Sequence, residues 1–137
     1  MGELVSYHWR GDLTDDEMAE LAVSAGGNPE KGLWDRIRSH SLGWATARAS
    51  DGRLVGYVNV AWDGGRHAFL LDPMTRDEFR HRGIASKLVE MAVHGAEAAG
   101  CEWLHVDFPD VLAKFYLVAC AFQRTAAGLI RLHPIES

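Results

Sequence analysis

The sequence predicts a mixed α/β fold, a mostly antiparallel sheet with helices on both faces. Three observations carry that reading. The β-rich runs Leu42–Ala49, Leu54–Trp62 and His67–Asp72 are joined by Asp51-Gly52 and Asp63-Gly64-Gly65, turn chemistry that suits a three-strand meander. From His67 to Asp107 the chain reads strand, basic glycine loop, helix, strand, which makes one parallel unit with a right-handed crossover. Near the N-terminus a capping box opens an apolar, helix-spaced run. With 137 residues, 47% hydrophobic and 24% charged, the chain suits a single domain over 1–137 with a real core.

Taken in order, Leu4 to Trp9 alternates weakly and reads as a first strand. Thr14-Asp15-Asp16-Glu17 is the capping box, with Leu13 and Met18 placed as a hydrophobic staple. The helix it opens passes Leu21 and Val23 and stops near Gly26-Gly27. Asn28-Pro29-Glu30 is a loop, and Leu33 to Ile37 a second, short helix. After the meander, Ile84, Leu88, Met91, Ala92, Gly95 and Ala99 form one helical stripe that Gly100 ends. Trp103 to Phe108 reads as a strand, and Pro109 can occupy the first turn of another helix, carrying Val111, Leu112, Phe115, Tyr116, Val118 and Ala119. Ala127 to Leu132 is expected as a final strand.

The net charge of −5 argues against nucleic acid or an anionic membrane as a partner. An anion site must therefore be local. Arg76, Arg80, Arg82 and Lys87 against Asp77 and Glu78 leave +2 between residues 76 and 87. Within that stretch, Arg80-His81-Arg82-Gly83-Ile84-Ala85-Ser86 follows a strand and opens a helix, a layout that aims free backbone N–H groups at a phosphate. Gly83 lets a bulky anion approach the main chain. Charge alone would fit a solvated helix start equally well. Cys101 and Cys120 are too few for a disulfide framework and suit a reducing cytoplasm. No stretch approaches the roughly 18 apolar residues of a membrane span, and Met1-Gly2-Glu3-Leu4 starts no signal peptide. His105-x-Asp107 lacks an evident third ligand, so no metal is expected.

These residues resemble the GNAT superfamily of N-acetyltransferases. Its central signature is Arg or Gln, two residues, Gly, one residue, then Gly or Ala, between a strand and a helix. Arg80, Gly83 and Ala85 fill it here. A second likeness is Phe115-Tyr116 followed by Cys120-Ala121-Phe122, and the order of elements agrees over nearly the whole chain. Two positions depart: Pro109 stands where the family often has Asn, and Ala121 where it has Gly before the final Phe.

The resemblance implies a GNAT-like acyl-CoA N-acyltransferase fold with a V-shaped gap between the strands at 67–72 and 103–108. Acetyl-CoA would lie there as co-substrate, its pantetheine paired to the backbone of Leu70, Leu71 and Asp72, its pyrophosphate on Arg80, His81, Arg82, Gly83, Ile84, Ala85 and Ser86. Acetyl would pass to a primary amine of a small molecule or peptide by direct attack. Tyr116 would be the general acid; for the base Asp72 or Asp107 stand first, with His105 and no dedicated base as alternatives. Asp72 precedes Pro73 and equally suits a turn cap. Acceptor choice is expected in residues 26–45 and 63–66, where Glu30, Asp35 and Asp63 either attract a cation or are ordinary surface charges. Homodimers are common in such folds. The competing reading is a non-catalytic acyl-CoA-binding sensor or interaction module.

Overall fold

In the computed structural model, which describes residues 4–133, five strands form one sheet in chain order. β1 (Val5–Trp9), β2 (Ser41–Ala49), β3 (Leu54–Trp62) and β4 (His67–Thr75) pair antiparallel in succession, and β5 (Trp103–Val106) pairs parallel to β4. The mixed sheet is the one the glycine turns and the single crossover demanded. The chain divides into two compact units, Met1–Asp107 and Phe108–Ser137, and the whole sheet lies in the first.

Helices cover both faces of that sheet. α1 (Asp15–Ser24) starts as expected: the Glu17 N–H donates to Thr14 Oγ1 at 3.1 Å, and the Thr14 N–H to Glu17 Oε1 at 3.0 Å. Leu13 is buried and Met18 packs on the same core, completing the staple. Asp15 then fixes the next helix, accepting the N–H groups of Gly32 at 2.6 Å and Trp34 at 3.1 Å. That helix, α2 (Leu33–Arg38), drives Trp34 edge-on into Trp44 and Tyr57, and with Leu13, Leu21 and Leu54 they form the core of this face.

α3 (Ile84–Ala98) covers the other face. Gly56, next to Tyr57 and so turned away from it, is where α3 comes closest: a Cβ there would lie 2.9 Å from both Ile84 and Leu88. Trp9 fills the space between β2 and α3, since a Cβ on Gly43 or on Gly95 would run into its ring.

Four boundaries differ from the sequence expectation. β4 continues through Asp72 to Thr75, and β5 stops at Val106 instead of Phe108. The continuous helix after Pro109 is replaced by a 3₁₀ turn, Asp110–Leu112, and one turn of π-helix, Phe115–Ala119. Val111 and Val118 stay exposed there, so no apolar stripe is buried to hold a regular helix. Ala127–Leu132 forms no strand; Leu129, Ile130 and Leu132 are each more than 80% exposed and have no ladder partner.

Candidate functional site

The site begins with a bulge. In the β3–β4 pair Asn59 faces Leu71 and Tyr57 faces Met74, so Asp72 and Pro73 together oppose the single residue Val58. Asp72 absorbs the extra length with φ 54°, a left-handed conformation that Asp tolerates better than most residues. It is therefore a bulge residue inside the strand, not a turn cap after it.

Beside the bulge the sheet opens. β4 and β5 pair from His67↔Trp103 to Leu70↔Val106, and no further. From Leu71 onward β4 keeps β3 on one side and has no partner toward β5. Leu71 and Asp72 thus stand past the last pair, and Asp107 immediately follows the end of β5. Of the three residues expected to pair with pantetheine, Leu70 still belongs to the closed ladder; Leu71 and Asp72 border the split.

The basic loop lies after β4. Phe79 is buried and anchors it, closing a short 3₁₀ turn, Asp77–Phe79. His81 and Gly83 have φ 63° and 79°, the alternation that turns successive N–H groups into a concave nest. Gly83 is the N-cap of α3, and no side chain caps the helix. The first-turn N–H groups of Ile84, Ala85 and Ser86 consequently have no intrahelical acceptor. A Cβ on Gly83 would meet nothing within 4 Å, so the space over the loop is open. The Arg82 guanidinium rests 4.8 Å above the Phe79 ring and has no carboxylate partner among the described residues, while Arg80 reaches Asp77 at 3.6 Å. Uncapped donors, open space and a free guanidinium suit a pyrophosphate.

Three titratable groups are shifted, two beside the bulge and one in the second unit. Asp72 is exposed, yet nearby protein desolvates its carboxyl and raises its pKa above the usual range. Tyr57 is buried at the base of the bulge, and burial, helped by the Asp72 charge, holds its phenol protonated. In the second unit Tyr116 is 2% exposed, surrounded by the rings of Phe108, Phe115 and Phe122. Burial, with the Cys120 thiol beside it, raises its pKa as well. The wide turn that holds it is closed by the Cys120 N–H on Phe115 O at 2.9 Å.

Along the face of β4 and β5 turned away from α3 lies a contact not expected from sequence. His67 Nδ1 and His105 Nε2 are 2.8 Å apart, and Phe69 stacks on the His105 ring. The two histidines are 38 positions apart, and only the β4–β5 register brings them together. The proposed acidic lure for an amine is largely occupied: Glu30 pairs with Arg36, and Asp63 accepts the N–H groups of Gly65 and His67.

The sequence that builds this strand pair, bulge and uncapped helix N-terminus matches a known family. The model of the acetyltransferase (GNAT) family covers residues 10–134. The chain belongs to the GNAT acetyltransferase family. This GNAT chain is thus a member of a family of acetyl-CoA-dependent N-acetyltransferases, as the loop signature implied. Among solved structures it is similar to the GNAT family protein SP0256 of Streptococcus pneumoniae, 19% identical over 95% of this chain and 98% of that one, with a TM-score of 0.79. It is also similar to glucosamine-6-phosphate N-acetyltransferase of Arabidopsis thaliana, 16% identical over 93% and 99%, TM-score 0.71. A third is the GNAT family N-acetyltransferase YhbS of Escherichia coli in complex with CoA, 14% identical over 85% and 69%, TM-score 0.71. At these identities the likeness is one of fold. No curated protein matches the chain by sequence. Among the described residues of this GNAT protein no helix is long and apolar enough to cross a membrane.

Proposed function

We propose that this chain transfers acetyl from acetyl-CoA to a primary amine of a small molecule or peptide by direct attack of the amine on the thioester. The observation that carries this reading is the split beyond Leu70↔Val106, running toward the nest at His81–Ser86. Leu71 and Asp72 offer backbone groups to pantetheine, and the loop offers N–H groups and Arg82 to the pyrophosphate. Acetyl-CoA supplies the activated acyl group. The protein supplies alignment and proton management.

The proton problem is severe. An alkylamine with a pKa of about 10.4 is mostly protonated at neutral pH, which withholds about 4–5 kcal/mol of nucleophile. Asp72 and Asp107 border the split, and one of them takes this proton. The raised pKa of Asp72 brings it nearer the amine's range. Tyr116 is the acid that the family resemblance assigns. Full proton transfer from a phenol to a thiolate is uphill by about 2 kcal/mol at ordinary values, and burial of Tyr116 widens the gap. Its role is then donation of a hydrogen bond to the departing thiolate, not surrender of the proton.

Release of free thiol from acetyl-CoA is the test, screened with polyamines, aminoglycosides, glucosamine 6-phosphate, amino acids and peptide N-termini. The expected result is release that depends on one acceptor class. Protection of the fold by CoA without thiol release from any amine would instead establish the non-catalytic acyl-CoA-binding module. Comparison of Asp72→Asn with Asp107→Asn identifies the base, whose loss costs about a hundredfold in rate.

A further inference from the structure

Most arginines of the first unit reach a carboxylate, but Arg10, Arg38 and Arg82 have no carboxylate partner among the described residues. Each lies over an aromatic ring instead. Arg82 is on Phe79 beside the nest, whereas Arg10 and Arg38 share Trp44, at 5.6 and 6.0 Å from its centroid. The shared ring is fixed: Trp44 is buried, its Nε1 donates to Gly11 O at 2.8 Å, and Trp34 packs edge-on against it at 4.9 Å. Arg10 is fixed too, with φ 59° and its N–H donating to Trp44 O at 2.7 Å. Arg38 ends α2, where a cation complements the helix C-terminus; that accounts for one of the two charges and not for the other. Nearby acids are engaged elsewhere, Asp15 by the N–H groups of Gly32 and Trp34, Glu17 by Arg48 and Glu30 by Arg36. Asp12 and Asp35, the nearest acids in sequence, form no ion pair with either arginine. Two guanidinium groups gathered on one indole repel each other, and a bound anion removes that repulsion.

The pair also stands in line with the split. Trp44 is register-paired with Asn59 and Asn59 with Leu71, so all three share the face turned away from α3. Leu71 is the first residue of β4 beyond the last β4–β5 pair. Two strand spacings, about 10 Å, therefore separate Trp44 from the split. Asn59, between them, is buried and its Oδ1 accepts from Ser41 Oγ at 2.7 Å, while Leu71 is exposed. A molecule that bridges the two ends thus lies over the sheet, one end at Leu71 and the other at Arg10 and Arg38. We propose that Arg10 and Arg38 seat a carboxylate or phosphate of the acceptor, so that the amine acetylated at the split belongs to an acidic molecule with about 10 Å between nitrogen and anion. This rests on the acetyl-transfer reading above and names its substrate class. Guanidinium groups offer paired N–H donors to either anion. Because the seat is remote from the reacting carbonyl, it grips ground state and transition state alike and acts on KM.

The seat is tested by thiol release with two pairs of amines that differ only at the end remote from nitrogen. These are 8-aminooctanoate against 8-aminooctanamide, and 6-aminohexyl phosphate against 6-amino-1-hexanol. The acid of at least one pair is expected to exceed its neutral partner about tenfold in kcat/KM, and the pair that does so separates carboxylate from phosphate. Arg10→Gln and Arg38→Gln should each erase most of that advantage, through KM more than kcat, and Lys at either position should restore part of it. Equal rates within both pairs, or variants that slow acid and neutral amines equally, overturn the proposal. A readout free of acetyl transfer is the Trp44 indole N–H resonance in protein saturated with CoA, whose pyrophosphate already fills the nest. Inorganic phosphate or acetate is expected to shift it in wild type and not in the Arg10→Gln/Arg38→Gln double variant. No shift with either anion overturns the seat even where thiol release establishes the reaction. A shift without preference for the acidic amines marks an adventitious ion only and overturns it as well. Failure of thiol release with every amine, the shift being present, instead removes the acetyl-transfer reading.

Discussion

Asp72 carries a cost in folding that its position explains. Its carboxyl pKa is raised by desolvation, so the folded state disfavours the charged form relative to the unfolded chain. That penalty is absent below the ordinary aspartate value of about 3.9 and grows as pH rises through the folded value. Asp72→Asn, which keeps an αL-tolerant side chain at φ 54°, is expected to raise the Tm at pH 7. The difference from wild type should vanish near pH 3, which thermal melts at the two pH values would check. At Tyr116, replacement by Phe keeps the packing with Phe108, Phe115 and Phe122 and removes only the donor. Thiol release should slow about tenfold to a hundredfold with little change in Tm; an undiminished rate would remove Tyr116 from the reaction. Both residues were legible in the sequence as candidates, because each stands in a short local motif. The His67–His105 contact was not, since it depends on strand register, which no local pattern encodes.

Among the elements, β4 shows most clearly where sequence reading stops. Strict alternation ends at Asp72, and a period-two reading ends the strand there too. The bulge breaks the alternation while the ladder with β3 resumes at Met74. Leu71 and Met74, three apart, share a face, which is a helical spacing inside a strand. The meander, the capping box and α3 were legible because turn glycines, caps and the 3.6-residue stripe are local signals. The strand expected at Ala127–Leu132 has the apolar composition but lacks a ladder partner, and composition does not report partners. Close approach between elements gives a further expectation. Gly56→Leu would force side-chain carbons into Ile84 and Leu88, where a Cβ alone already lies at 2.9 Å. It should cost about 1–3 kcal/mol or more by chemical denaturation.

At the scale of the whole molecule, two linkages follow. Glu17 ties the start of α1 to β2 through Arg48 at 2.6 Å, and that hydrogen bond, with those from Thr14, holds its carboxyl below the usual range. Its contribution is present above the ordinary glutamate value of about 4.3 and is lost as pH falls through the lower folded value. Arg48→Met should therefore lower stability at pH 7 and flatten its loss between pH 5 and 3, measured by urea unfolding. Binding adds to stability in the same way. CoA at about a hundred times its Kd should stabilise the native state by about 2.7 kcal/mol, and Gly83→Glu, placing a carboxylate in the open space over the nest, should abolish that gain. The bulge at Asp72–Pro73 has one more consequence, for insertions and deletions. Because two residues there oppose one, removal of a single residue would leave a regular ladder, with Met74 still opposite Tyr57, and would erase the kink beside the split. Side chains along this stretch can vary widely while the fold persists. Its length cannot change without loss of that kink, so indels near residue 72 should weaken CoA binding more than substitutions do, even where the sheet persists.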